Sequence, residues 1–423
     1  MNNLVKLTSL LLLLAFASGI ACAVDFSVPQ SIYKQPPSST YRLSETAYRQ
    51  FQPIQKQISA EQYDDAFNSL NRLVKRHKQN LYVVSVAMKS AAYIYIAQQE
   101  YSKAIEWMQQ ILKLSTMSTQ ELQIIRHDLS QLQLQAEQYQ NAINTMESWL
   151  KEAKKTTLNS KQISAADYQL LAVSQFQLNH YKKAKQAAQK GLKQTKPLVE
   201  PLYQLILSCD FALKNYTSAD KTLSILVKLN PSKKNYWIQW AGVLDLLERP
   251  DKALVVFELM DQRKSLNNEQ EKIQFVQRLM QQGNAFKAAV KLNGYSKNGD
   301  VKTSIENQLL LVSAWEQSGE SDKAIEVLER LLDSQKNNNV LMRLAQIYVT
   351  EQKWKALIEL LESRLDMQLK KDNEQLYLQL GYGYVQLGIA DKAKQTFLIL
   401  ATSEKSSIET QKSAQQWLKY LNQ

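Results

Sequence analysis

Glycine and proline are scarce in this sequence, ten and eight in 423 residues, and alternating strand patterns are almost absent. Gln, Lys, Leu and Ala dominate, a composition that favours helix throughout and argues against a sheet-based fold. Cysteine is nearly absent. Cys22 lies in a segment that reads as removed, and Cys209 stands alone in the predicted helix around LILSCDF. The chain therefore has no internal disulfide, and Cys209 reads as a small core residue rather than a nucleophile. The three histidines, His77, His127 and His180, lack the i, i+4 spacing that places two metal ligands on one helical face. There is no G-x-S-x-G elbow, no P-loop and no C-x-x-C. Acidic pairs are frequent, but nothing selects two of them as an acid and a base. The expectation is a non-enzymatic protein without metal or cofactor. A site built from scattered residues would need an apolar pocket with convergent polar groups, and the sequence gives no sign of one.

What is present is a repeat. Residues 230–262 carry Trp237, Trp240, Ala241 and Leu244 at i, i+3, i+4 and i+7, then Ala253, Val256, Phe257 and Met260 at the same spacing. These are two short amphipathic helices, separated at Glu248-Arg249-Pro250-Asp251, because proline cannot continue a helix but fits the start of the next. One such hairpin cannot bury its own apolar face. Copies follow from an anchor residue in the second helix, with a bulky or turn residue three places before it. The anchors are Ala66, Ala104, Ala142, Ala184, Ala219, Ala253, Ala288, Ala324, Leu357 and Ala393. Six of the nine spacings lie within two residues of 34, the period of the tetratricopeptide repeat. Twelve residues before the anchor, a small residue recurs: Ala92, Ser130, Ala172, Ala241, Ala345 and Gly381, with Leu207, Val276 and Val312 as exceptions. Gly381-Tyr382-Gly383 with Gly388 has a faint likeness to a phosphate loop, but Gly381 takes this close-packing place. Three residues further on stand large packing residues such as Tyr95, Trp315, Tyr348 and Tyr384. The predicted fold is all-α, an α-solenoid of about ten helix-turn-helix repeats.

The organisation follows in chain order. Residues 1–23 combine Lys6, the leucine run Leu10 to Leu14 and the A-x-A site Ala21-Cys22-Ala23, which reads as a cleaved secretory signal. The expectation is a periplasmic protein; the rival reading is a lipoprotein anchored through Cys22. No transmembrane span is expected after the signal is removed. Residues 24–44, with Pro29, Pro36 and Pro37, read as a flexible arm. Residues 45–423 read as one continuous solenoid, stabilised by stacking. Loops are expected at 151–161, 293–304 and 333–339. A last helix with Ala414, Trp417, Leu418 and Leu421 is expected to cap the stack.

Charge is uneven. The net charge is +12, and residues 151–200 hold ten lysines against Glu152, Asp167 and Glu200. The bland reading is a solvated outer face. The alternative is attraction to an acidic partner or an anionic membrane surface. Nucleic acid is not expected as a partner, since no recognition motif is present.

The tract 200–262 contains Pro201-Leu202-Tyr203, Lys214-Asn215-Tyr216-Thr217-Ser218-Ala219 and Tyr236-Trp237-Ile238-Gln239-Trp240-Ala241-Gly242. In this order the tract resembles periplasmic tetratricopeptide proteins associated with the TonB energy-transduction system, and the likeness extends more loosely over 168–400. The resemblance implies an accessory role beside the inner-membrane motor complex that drives outer-membrane uptake of iron carriers, haem or similar nutrients. It brings no catalytic residues. A scaffold for outer-membrane or envelope assembly is the alternative, and lipidation at Cys22 would favour it.

In this repeat the first helices line a groove. Counting fifteen and eight residues back from three successive anchors gives Gln169 and Phe176, Gln204 and Phe211, Ile238 and Asp245. The phenylalanines are expected side by side as aromatic anchors, with the glutamine amides serving a peptide backbone. The opposing reading is that both rings only fill space against a neighbouring helix.

Overall fold

A computed structural model describes residues 41–155, 163–195, 199–334, 337–365 and 373–422. The expected signal segment, Cys22 and most of the expected arm lie outside the described residues. Within the described residues there are 21 helices and no strand. They divide into two compact units, up to Gln194 and from Thr195, each described by itself. The first contains α1 (Glu45–Ser59), α2 (Tyr63–Arg76), α3 (Leu81–Ala97), α4 (Tyr101–Leu114), α5 (Thr119–Gln135), α6 (Tyr139–Ala153), α7 (Ala165–Gln177) and α8 (Tyr181–Leu192). The second contains α9 (Glu200–Ala212), α10 (Tyr216–Leu229), α11 (Lys234–Leu246), α12 (Pro250–Gln262), α13 (Glu269–Gln281), α14 (Ala285–Lys297) and α15 (Ile305–Gln317). It continues with α16 (Ser321–Ser334), α17 (Asn338–Thr350), α18 (Trp354–Arg364), α19 (Glu374–Gln386), α20 (Ala390–Thr402) and α21 (Ile408–Leu421). Successive odd and even helices pair as hairpins, so the fold is a set of stacked helix-turn-helix repeats.

Each hairpin turns on a residue in the left-handed backbone region, always five positions before the anchor. These residues are Glu61, Gln99, Glu137, Asn179, Lys214, Glu248, Gly283, Gly319, Gln352 and Gly388, with φ between 54° and 76°. The next amide reaches back five residues to a first-helix carbonyl, as in Arg249 N to Leu244 O at 2.9 Å and Lys353 N to Tyr348 O at 2.8 Å. This is the Schellman closure, which satisfies a helix-end carbonyl and fixes the exit direction of the chain. The same turn forms with and without proline, so Pro250 accompanies the break after α11 and Glu248 makes it.

The anchors are the most deeply buried set. All ten have no measurable exposure, including Leu357. Sixteen residues after the small first-helix position comes its counterpart, four residues beyond the anchor. Gly381 meets Phe397 there: a Cβ on Gly381 would lie 2.6 Å from the Phe397 ring. The same two positions hold Ala241 with Phe257, and Val276 with Leu292, all buried. Where the first-helix residue is larger, its counterpart is not aromatic. The exceptions Leu207, Val276 and Val312 face Leu223, Leu292 and Leu328, whereas small residues meet counterparts that range from Ala188 to Phe397.

The two units differ in their cores. From Leu207 to Ala414 one contiguous apolar cluster runs through the second unit. The place held by Tyr95, Trp315, Tyr348 or Tyr384 in other hairpins carries Gln133 and Gln175 in the first unit and the buried Asp210 in the second. Gln133 and Gln175 are buried, and among the described residues their side-chain carbonyl oxygens have no hydrogen-bond partner. Each orphan carbonyl costs about 1–3 kcal/mol. In α1, Arg49, Pro53 and Lys56 are exposed in columns that α3 buries as Ala87, Ala91 and Ile94. Along α21, Ala414 is buried and Trp417 stacks on Phe397 at 5.8 Å, while Gln415, Gln416 and Lys419 face water. A polar outer face is what a terminal helix requires.

The expected loop at 293–304 is a correction. Helix α14 continues through Asn293 and Gly294 to Lys297. Tyr295 holds it: the side chain is buried, its hydroxyl donates to Asp261, and Lys272 lies 5.1 Å from its ring centre. Tertiary anchoring outweighs the Asn/Gly composition, and the loop is confined to 298–304. Likewise α6 runs to a buried Ala153 within the expected loop 151–161, of which 156–161 lies outside the described residues. Helix α16 extends to Ser334 and α17 starts at Asn338, shortening the loop expected at 333–339 from both sides.

Two stability predictions follow from these turns and contacts. Nothing lies within 4 Å of a Cβ on Gly319, so Gly319→Ala tests backbone strain alone. It should cost about 1–2 kcal/mol in urea unfolding, whereas Glu248→Ala, already left-handed with a side chain, should be near neutral. Gly381→Ala should cost about 1–3 kcal/mol by overpacking, because the Phe397 ring it strikes is backed by Trp417 and cannot move aside. A Gly381→Ala melting curve superposing on the wild type would show that this helix pair has slack.

Candidate binding face

The first helix of each hairpin leaves two columns of half-buried side chains, fifteen and eight residues before the anchor. In the first unit, the former column holds Phe51, Lys89, His127 and Gln169 and the latter Ile58, Ile96, Leu134 and Phe176, all half-buried except Phe51, which is buried. From the second hairpin on, one lane is polar and its neighbour apolar. In the second unit, the fifteen-back column runs Gln204, Ile238, Ile273, Leu309, Met342 and Leu378, and the eight-back column Phe211, Asp245, Met280, Glu316, Val349 and Val385. All are half-buried except Ile238, which is 36% exposed. There the polarity is redistributed, with the apolar lane on the other column and two carboxylates in the second.

Phe176 packs edge-on against Tyr181 of its own hairpin, with ring centres 5.2 Å apart. Phe211 packs against the apolar cluster of the second unit. The two phenylalanines expected side by side thus belong to different units, each ring partly covered within its own. The amide of Gln204 is engaged: Nε2 donates to the Tyr236 hydroxyl and, at 3.3 Å, to Glu200. Glu200 also accepts from Tyr236, Asn230 and Lys233. Burial and the bond to Glu200 push the Tyr236 phenol up to about 12, so it stays protonated as a fixed donor. Asp245 is clamped by Arg278 through two bonds, at 2.9 and 2.5 Å. Glu316 is held by Arg343 in the same way. The polar residues of this face serve first to tie consecutive first helices together.

A charged cluster in the first unit is absent from the sequence-based site. His127 Nε2 lies 2.7 Å from Asp167 Oδ1, and Nδ1 lies 3.8 Å from Asp128. The Tyr93 hydroxyl donates to Asp128 at 2.6 Å, and the Trp149 ring lies 5.0 Å from the imidazole. Burial works against the imidazolium, but the bonds to Asp128 and Asp167 outweigh it and raise His127 to about 9. Lys89 shares its column, and burial lowers its ammonium from the usual lysine range while Glu121 and Asp128 oppose that shift. The signal was legible: extending the fifteen-residue count to the earlier anchors yields Lys89 and His127. Among the described residues, no group of three or more His, Cys, Asp or Glu could hold a metal ion. No described helix is long and apolar enough to cross a membrane.

With this geometry in place, comparison with known proteins adds a class. Residues 57–116 match the family model described as tetratricopeptide repeat, spanning the end of α1 through α4. That segment is similar to tetratricopeptide repeats, and the same helix-turn-helix hairpin recurs through both units. No characterised protein matches the chain significantly. Among solved structures, a tetratricopeptide repeat protein from Parabacteroides merdae is 14% identical, covering 64% of this chain and 99% of that one, with a TM-score of 0.37. MamA from Desulfovibrio magneticus RS-1 is 16% identical over 45% of this chain and 99% of its own, TM-score 0.36. PilF of Pseudomonas aeruginosa is 10% identical over 52% of this chain and 91% of its own, TM-score 0.34. Likenesses at this level identify neither partner nor mode of assembly.

The His127 cluster yields a pH prediction. Its folded value of about 9 lies above the unfolded value of about 6.5. The ion pair therefore contributes its full stability below about pH 6.5 and loses it as pH rises through about 9. His127→Gln should melt below the wild type at pH 6, and the gap should close at pH 10. A gap of equal size at both pH values would mean that packing against Trp149, not charge, holds the residue.

Proposed function

We propose that this protein is a non-enzymatic scaffold that binds protein segments along its first-helix faces. The observation that carries the reading is the pair of in-register, mostly half-buried columns, apolar with polar or charged residues set among them, recurring at the same offsets in every hairpin. Such columns offer an extended or helical segment a run of apolar contacts flanked by fixed polar groups. The tetratricopeptide match over residues 57–116 supports the same class.

The finer reading rests on the resemblance of tract 200–262 to periplasmic proteins associated with TonB systems. On that basis the protein is exported by a cleaved signal, acts in the periplasm, and serves as an accessory of a TonB-type motor that energises outer-membrane uptake of an iron carrier or haem. Its partner is then a protein of the cell envelope. The test is growth of a deletion strain. Growth should fail on carrier-bound iron and remain normal on freely diffusible iron. Equal defects on both sources, or a leaky outer membrane, would replace this role with envelope assembly. Phe176→Ala combined with Phe211→Ala should reduce capture of the envelope partner at least several-fold if these rings anchor it, with helicity retained by circular dichroism. Unchanged capture removes them from the binding face.

A further inference from the structure

The second helix of the fourth hairpin, α8, differs from its counterparts. Its buried face is built of Ala184, Ala187, Ala188 and Gly191. Its exposed face holds Lys182, Lys183, Gln186, Gln189, Lys190 and Lys193, and the helix contains no Asp or Glu. Several cations on second helices of the other unit are offset by the preceding hairpin: Lys287 pairs with Glu258, Lys291 with Asp261 and Lys392 with Glu362. Among the described residues, Lys182, Lys183, Lys190 and Lys193 have no such partner.

Their placement is electrostatically unfavourable. Lys182 and Lys183 stand in the first turn, at the positive end of the helix dipole, with no acidic residue there to offset them. Seven and eleven residues correspond to about two and three turns, so Lys183 aligns with Lys190, and Lys182 with Lys193. The four ammonium groups form two parallel rows about 10 and 16 Å long, with Gln186 and Gln189 near them as amide donors. A bound anion would relieve both the mutual repulsion and the dipole mismatch.

We propose that the exposed face of α8 docks an acidic, extended segment of a partner protein, independently of the first-helix face described above. Four lysines over about 16 Å match about five residues of extended chain, so carboxylates on such a segment meet both rows. The face favours this occupant over a lipid surface because α8 exposes no large apolar side chain to enter the boundary between headgroups and acyl chains.

The test is a fluorescence-anisotropy titration of the full protein with a labelled oligoglutamate peptide, at low and moderate salt. Lys182→Gln, Lys183→Gln, Lys190→Gln and Lys193→Gln together should weaken binding by roughly tenfold or more. A control variant removes the same charge elsewhere, at the exposed Lys228, Lys252, Lys412 and Lys419, and should bind nearly as the wild type. Equal losses in both variants would reduce the effect to net charge and overturn the proposal, as would a wild type that does not bind the peptide. Vesicles containing phosphatidylserine form the second arm. Vesicle binding that depends on the same four lysines and exceeds peptide binding would assign the face to a membrane instead. If the quadruple variant loses helicity by circular dichroism, the pair Lys182→Gln with Lys193→Gln carries the comparison, and unchanged peptide binding by that folded pair overturns the proposal.

Discussion

The left-handed turn is the constraint on which the fold depends. In all ten hairpins a single residue adopts positive φ and the following amide bonds back five residues. That closure sets where the second helix begins and brings its anchor against the first. Because geometry is fixed at the turn, the anchor can be an alanine in nine hairpins and a leucine in the tenth, and all remain fully buried. The close approach of Gly381 to Phe397 depends on the same turn. Packing then brings one fixed pair of positions together in every hairpin, with the closest fit at Gly381 and Phe397.

How far the sequence could be read follows from which interactions are local. The anchors, the small positions and the helix order were legible because each repeats at a fixed offset and each is apolar. The left-handed residue within each turn was not, since only Gly283, Gly319 and Gly388 of the ten are glycine. Elsewhere Glu, Gln, Lys or Asn bears the strain, and composition alone does not show it. The helical state of Asn293 to Lys297 was hidden because it depends on Tyr295 reaching Asp261. At the candidate face, the columns were correctly countable, but the engagement of Gln204 and Asp245 by residues some 33 positions away was not. Pairing between consecutive first helices depends on rotamers and on stacking, which a periodic pattern does not encode.

The units present different chemistry on equivalent positions. In the first, Lys89 and His127 sit in a charged seam beside apolar Ile96 and Leu134. In the second, Ile238 and Leu309 stand beside carboxylates already locked to arginines, and Met342 and Leu378 beside Val349 and Val385. One repeat architecture thus carries two different sets of side chains on the same columns, and in the second unit most of them also pack against the apolar core.

The ion pairs that join consecutive second helices in the second unit have a mechanical meaning. Lys287 to Glu258, Lys291 to Asp261, Arg364 to Asp333 and Lys392 to Glu362 cross from one hairpin to the next near the surface, at 2.5 to 2.8 Å. Each is worth at most about 1 kcal/mol when exposed and is screened by salt. They act as weak cross-ties between otherwise apolar layers. Raising ionic strength slackens the ties while the buried layers keep their contacts, so this unit softens as a spring before it loses any fold.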